Sequence, residues 1–376
     1  MAKILIISGF ADSLLNFRGA LIKSMIEAGH QVYACAPSCS ESMKARFVDA
    51  GVGFFSVPMN RAGLNPFLDF QSFLSIYKVN RKIKPDVVLA YTIKSVVYGL
   101  WAARLAGVKR RFALITGLGY AFTLEGEGGK RRLVNRIARF LYGIGLKKVS
   151  GCFFQNPDDS RMFRELGLLP MECPNLVVNG SGVDVEHYTK KPLPLETAFL
   201  LVARLLADKG IREYVAAATR IKRTYADVRF KLVGDLDSNP SSICETELKE
   251  WIDSGVIEYT RSVEDIRPIM EAASVYVLPS YREGMPRTVL EAMSLGRPVI
   301  TTDAPGCRET VVPGLNGFLV PIRNVDALVD AMTAMIDSPE KIESMGRESR
   351  RIAVEKYDVH EVNRIMLREM GLIGGS

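Results

Sequence analysis

Short apolar runs alternate with stretches of helical period along the whole chain, and this alternation limits the fold more than any single motif does. The runs are residues 4–7, 31–36, 87–90, 112–115 and 152–155, then 198–202, 230–233, 256–259, 275–278 and 299–301. Each is three to six residues long and mostly uncharged, as strands buried on both faces are. Helical patterns lie between them, such as residues 18–28, which stop at Gly29. Strand and helix in alternation predict an α/β architecture of parallel sheets with right-handed crossovers. The pattern restarts at Thr197, after the proline-bearing stretch Tyr188-Thr189-Lys190-Lys191-Pro192-Leu193-Pro194, which reads as a linker. Two Rossmann-like domains are expected, residues 1–193 and 194–354, followed by a helical segment over 355–376. The 376 residues suffice for two cores.

Other classes recede. No run approaches the 18 apolar residues of a membrane span. The opening Ile4-Leu5-Ile6-Ile7 is too short for a signal peptide and is followed by Asp12 and Arg18, so it reads as the first strand. Six scattered cysteines and three histidines show no zinc-ligand spacing, and a reduced, cytoplasmic location is expected. Residues 1–190 hold 25 Lys and Arg against 14 Asp and Glu, a net of +11, whereas the whole chain carries +7. The second half is therefore mildly acidic. Only the first half is expected to meet an anionic partner.

The chemistry concentrates late in the chain. Glu283-Gly284-Met285-Pro286-Arg287-Thr288-Val289-Leu290-Glu291 sits between an apolar run and a helical pattern that ends at Gly296. It reads as strand, loop and helix, with Glu283 in the loop and Glu291 about two turns into the helix. Ligands of open α/β sheets gather at such strand ends, and a helix amino terminus there favours phosphate. Arg204 and Lys209 lie at a second strand-to-helix junction, where two cations suit a diphosphate: Arg as a fork, Lys as a point charge. A glycoside hydrolase needs its carboxylates about 5 to 9.5 Å apart. Eight helical steps already span about 12 Å, which argues against that use. Asp235-Leu236-Asp237 spells a metal-like Asp-x-Asp, but it follows a strand and precedes Asn239-Pro240, so a turn is the favoured reading.

These residues resemble family 4 of the retaining glycosyltransferases. The resemblance runs through Arg204 to Lys209, Leu232-Val233-Gly234-Asp235, Pro279 to Gly284, Leu290 to Met293, Gly296 to Ile300 and Asn316 to Val320. It implies the GT-B fold, two Rossmann-like domains facing across a cleft. In the first half, Asn16-Phe17-Arg18, Asn60 to Pro66, Thr92-Ile93-Lys94-Ser95, Thr116 to Tyr120 and Phe154 to Asp159 resemble a subgroup that extends polyprenyl-diphosphate-linked sugars.

The resemblance implies roles. Arg204 and Lys209 would stabilise the diphosphate leaving group of a UDP-sugar, with a UDP-N-acetylhexosamine the expected donor, without a metal or other cofactor. Glu283 would face the donor sugar, with the backbone of Gly284 and Met285 close by. Glu291 would accept from the ribose hydroxyls, and Gly234 would let its loop pass near the nucleotide. Gly9, Arg18 and the glycine-rich loop of Thr116, Gly117 and Gly119 fall on the acceptor side. Lys94 is either a phosphate or acceptor contact or a structural cation. Many family members carry a histidine near that point; this chain has Thr92-Ile93-Lys94, which speaks against a histidine-assisted step.

Residues 131–148 mix Arg131, Arg132, Arg136 and Arg139 with Leu133, Ile137, Phe140 and Leu141. That describes either a charged face over a core stripe or a segment lying on an anionic membrane surface, which a lipid-linked acceptor favours. No nucleic-acid-binding motif accompanies the charge. The expectation is a glycosyltransferase peripheral to the inner face of the plasma membrane. The alternatives are a sugar-nucleotide 2-epimerase of the same fold, weakened by the missing histidines, and a non-catalytic nucleotide- or glycan-binding protein, weakened by the presence of Glu283 and Lys209.

Overall fold

The structure is a computed structural model that describes residues 1–60, 65–117, 129–237, 239 and 241–374. Its contacts divide the chain into two units, Met1–Ser181 with Val359–Ser376, and Gly182–Asp358.

The first unit is built on a parallel sheet of β1 (Lys3–Ser8), β2 (Gln31–Ala36), β3 (Gly53–Ser56), β4 (Val87–Tyr91), β5 (Arg110–Ile115), β6 (Gly151–Phe154) and β7 (Asn175–Val177). The strand order is β3-β2-β1-β4-β5-β6-β7. The strands read as unbroken apolar runs because helices cover both faces. Leu5, Ile7, Val88, Ala90 and Ile115 pack into one layer with Ile76 and Val79 of the Pro66–Ile83 helix. Ile4, Ile6, Val87, Leu89 and Leu114 face the other way, against Leu21, Ile22 and Met25 of the Gly19–Glu27 helix. Met366, Leu367 and Met370 join that second layer. The Val359–Glu369 helix thus packs on the first unit, although it follows the second in sequence.

The second unit repeats the plan with β8 (Ala198–Val202), β9 (Arg229–Val233), β10 (Glu258–Thr260), β11 (Val275–Leu278), β12 (Val299–Thr302) and β13 (Gly317–Val320), in the order β10-β9-β8-β11-β12-β13. Phe199, Leu201, Phe230, Leu232, Val275 and Val277 make one layer. Leu200, Tyr276 and Leu278 make the other with Val289, Leu290 and Met293 of the Arg287–Ser294 helix.

The first unit ends at Ser181, earlier than the expected residue 193. Val183, Val185 and Tyr188 are buried in the second core beside Leu200 and Tyr276, so the chain has already changed cores before the prolines. Arg297, fully buried, fastens the proline stretch by donating to the carbonyls of Lys191 and Pro192, at 2.8 and 2.9 Å. The short edge strands β3, β7 and β13 were not among the expected strands. Two of them are too short or too exposed to give a clear apolar run. Among the described residues no helix is long and apolar enough to cross a membrane.

Candidate active site

In each sheet the order reverses between the two central strands. Ligands of doubly wound folds bind outside the carboxyl ends at that point. In the second unit the switch lies between β8 and β11. The loop after β8 carries Arg204 and Lys209, and the loop after β11 carries Glu283. Two bonds to the carbonyl of Asp208 hold these loops together: Tyr281 N–H donates at 2.8 Å and Ser280 Oγ at 3.1 Å. Glu283 N–H donates to the Pro305 carbonyl at 2.9 Å. Gly306 follows, with φ +82°, where a Cβ would overlap the Glu283 carbonyl. Only glycine fits both that backbone angle and that space. Gly306 was not singled out in the sequence, and no local signal marks it.

Folding brings Lys209 and Glu283 into direct contact, Nζ to Oε1 at 2.6 Å, although 74 positions separate them. Both side chains are about five-sixths buried. Burial pulls the Lys209 ammonium down, but the Glu283 and Asp208 carboxylates outweigh it and its pKa is raised overall. Lys209 is therefore a cation at every physiological pH, and Glu283 is its counter-ion. Arg204 is half exposed and donates from Nη1 to Asp237 Oδ2 at 2.7 Å.

The Asp-x-Asp stretch is a turn. Asp237 Oδ1 accepts from Asn239 N–H at 2.9 Å, and Asn239 Oδ1 accepts from Ser241 N–H at 2.9 Å. Asp235 instead accepts from Ser262 Oγ and from Arg261 Nε, so the two carboxylates have separate partners. At Gly234, φ is +154° and a Cβ would overlap the Ala203 carbonyl at the exit of β8. The close approach that demands glycine here is to neighbouring backbone.

Glu291 lies in the Arg287–Ser294 helix and is almost fully buried. Arg287 Nε donates to its Oε1 at 2.8 Å across one helical turn. Burial pushes the Glu291 carboxyl up, while Arg287 and the Tyr188 hydroxyl pull it back without cancelling the rise. Arg287 was absent from the expected site, although its i,i+4 spacing from Glu291 was visible. Tyr188 had no local signal, since it comes from the connecting segment. The helix opens at Pro286 with no side-chain cap. Tyr276 Oη pins its first turn, 2.6 Å from Thr288 Oγ1 and 3.1 Å from the Val202 carbonyl. Gly284 and Met285, half-buried, lie between Glu283 and that helix start, and Met285 packs on the core.

In the first unit the switch lies between β1 and β4. Gly9 N–H donates to Thr92 Oγ1 at 3.0 Å, so the two strand ends are tied together. Thr92 holds φ +70°, which is rare for a β-branched residue and strained. Arg18 is buried, its guanidinium 5.5 Å from the centre of the Tyr91 ring. Lys94 is committed elsewhere: Nζ lies 2.6 Å from Asp69 Oδ1, and Tyr98 Oη donates to Asp69 Oδ2 at 3.2 Å. Burial first, then Asp69, push the Tyr98 hydroxyl up to about 12. Of the two readings of Lys94, the structure supplies the structural one with a partner. Thr116 and Gly117 follow β5, one strand from Thr92 at the same sheet edge. Gly119 lies outside the described residues, as do the side chains of Arg131 and Arg132. Arg136 and Arg139 are exposed on the Gly129–Gly145 helix, and Arg139 Nη2 donates to the Leu166 carbonyl at 3.1 Å.

A family model described as "Glycosyl transferase 4-like" matches residues 5–156, and one described as "Glycosyl transferases group 1" matches residues 196–338. The chain is 28% identical to the N,N'-diacetylbacillosaminyl-diphospho-undecaprenol alpha-1,3-N-acetylgalactosaminyltransferase of Campylobacter jejuni, over 92% of each chain. It is 29% identical to the UDP-Gal:alpha-D-GlcNAc-diphosphoundecaprenol alpha-1,3-galactosyltransferase of Escherichia coli, over 83% of this chain and 82% of that one. Its fold matches HepE of Anabaena in complex with UDP and glucose, with a TM-score of 0.79 at 17% identity over 99% and 100% of the two chains. It also matches sucrose-phosphate synthase of Thermosynechococcus elongatus, with a TM-score of 0.80 at 18% identity over 98% of each. The chain is thus a glycosyltransferase of GT-B fold, matched by the 4-like model in its first unit and by the group 1 model in its second.

Proposed function

We propose that this glycosyltransferase moves a sugar, with retention, from a UDP-sugar to an undecaprenyl-diphosphate-linked saccharide during surface polysaccharide or glycan assembly. The observation that carries the donor half is the switch point of the second sheet. Lys209 meets the carboxylate of Glu283 there, Arg204 stands five positions earlier in the same loop, and the helix after Glu283 starts without a side-chain cap. As the glycosidic bond of the donor breaks, negative charge grows on the diphosphate. Fixed cations stabilise that charge. Lys209 then exchanges part of its bond to Glu283 for a phosphate oxygen. Glu283 is left facing the sugar, whose anomeric carbon is gaining positive charge. Glu291, buried and held by Arg287, takes the ribose hydroxyls. The acceptor half rests on the two undecaprenyl-diphosphate relatives. The donor sugar is an N-acetylhexosamine in this reading.

The test is transfer of radiolabel from a panel of UDP-sugars to undecaprenyl-diphosphate saccharides in detergent. Labelled lipid product is expected from one UDP-N-acetylhexosamine, with the α-linkage of the donor kept. Because the diphosphate charge is assigned to Arg204 and Lys209, EDTA is expected to leave the rate unchanged. Activity lost to EDTA and restored by manganese would overturn that assignment.

Membrane attachment belongs to the same reading. On the Pro66–Ile83 helix, Phe67, Phe70 and Leu74 form an exposed apolar row at helical spacing, and exposed Lys78 and Arg81 continue it. Exposed Ile137 and Phe140 lie among arginines on the Gly129–Gly145 helix. Apolar side chains flanked by cations suit the surface of an anionic bilayer. The protein is expected to sediment with anionic liposomes at low salt and to be released as salt screens the charges over about 10 Å at 0.1 M. Glutamine at Arg131, Arg132, Arg136 and Arg139, or serine at Phe67 and Phe70, should each weaken sedimentation. If both variants sediment like the parent, attachment through these helices is refuted.

A further inference from the structure

We propose that Asp237 is a placeholder for the donor diphosphate at Arg204, holding the guanidinium until a phosphate oxygen takes its place. The inference rests on the assignment of Arg204 to the diphosphate.

The loop after β9 does not need the ion pair to hold its shape. Leu205 N–H donates to the Asp235 carbonyl at 3.0 Å, and Ser242 Oγ donates to the Leu205 carbonyl at 3.1 Å. Asp237 N–H donates to Ser242 Oγ at 3.1 Å, and Asp237 Oδ1 takes Asn239 N–H. Oδ1 is thus used by the turn, while Oδ2 reaches Arg204 at 2.7 Å. Half-exposed pairs of this kind add little stability. What the pair does is occupy a guanidinium that binds phosphate oxygens with the same fork geometry as a carboxylate.

An anion that reaches Arg204 must therefore displace Asp237 or stand beside a like charge. Asp237 thus lowers the affinity of every such anion by about the worth of the pair, whichever phosphate it carries.

Asp237→Asn isolates this effect, because asparagine keeps the Oδ1 acceptor for Asn239 N–H and loses only the charge. Calorimetry with UDP, UMP and inorganic phosphate is the test. In Asp237→Asn each ligand should bind about two- to fivefold more tightly, the scale of one exposed ion pair. In an Arg204→Ala background the same change should give no gain. Unchanged or weaker UDP binding in Asp237→Asn, with Arg204→Ala still weakening UDP, overturns the placeholder role and leaves the site assignment standing. Unchanged UDP affinity in Arg204→Ala overturns the assignment and the placeholder with it.

Discussion

Lys209→Ala is expected to weaken UDP binding and to lower kcat/KM by about ten- to a hundredfold, the scale of one charge-assisted hydrogen bond. Two effects add. The diphosphate loses its more buried cation, and Glu283 is left mostly buried without the partner it now meets at 2.6 Å. An unpaired buried carboxylate is costly, so local structure should loosen as well. Lys209→Arg keeps the charge and should recover part of the affinity, although a planar fork does not fit a space shaped around an ammonium. Calorimetry with UDP separates the ligand effect from the structural one. Equal UDP affinity in the parent and in Lys209→Ala would show that this lysine serves only the fold.

Changes at the two glutamates should have different consequences. Glu283→Ala removes the counter-ion of Lys209 and so should leave UDP affinity unchanged or slightly tighter. Its kcat should fall by at least a hundredfold, the scale of a lost electrostatic contact to the transition state. Such a contact lowers kcat and kcat/KM together. Glu291→Gln should weaken UDP and the UDP-sugar alike, because both carry the ribose. It should also make the fold more tolerant of alkali. Burial raises the Glu291 pKa, so the folded state favours the protonated form. That contribution is fully present below the ordinary Glu value and is lost as pH rises through the raised one. A glutamine has nothing to lose over that window, and its stability relative to the parent should climb with pH there. Equal loss of UDP affinity in both variants would refute the division between sugar and ribose.

The fold was legible in the sequence, and the residue types of the candidate site could be picked out there, because both depend on local pattern. Apolar runs of β1, β4, β8 and β11 announce themselves, since buried parallel strands must be apolar along their whole length. The Glu283 to Glu291 segment is readable as loop and helix from its Gly-x-Pro turn. What could not be read is whatever depends on pairing across distance. Lys209 meets Glu283, Arg204 meets Asp237, and Lys94 meets Asp69, each from a separate element. No spacing rule connects such residues. Gly234 illustrates the same limit. Its need for glycine was legible, but the atom it approaches, the Ala203 carbonyl, lies just past the end of the neighbouring strand β8. The early change of core at Val183 escaped for a related reason: prolines mark a break in secondary structure, whereas the core a residue joins is set by tertiary packing.

The most direct test of the account is a crystal structure of the protein with UDP bound. The account predicts diphosphate oxygens within about 3 Å of Lys209 Nζ and of the Arg204 guanidinium, with the ribose hydroxyls on Glu291. A diphosphate bound away from both cations, or a ribose that does not meet Glu291, would contradict it.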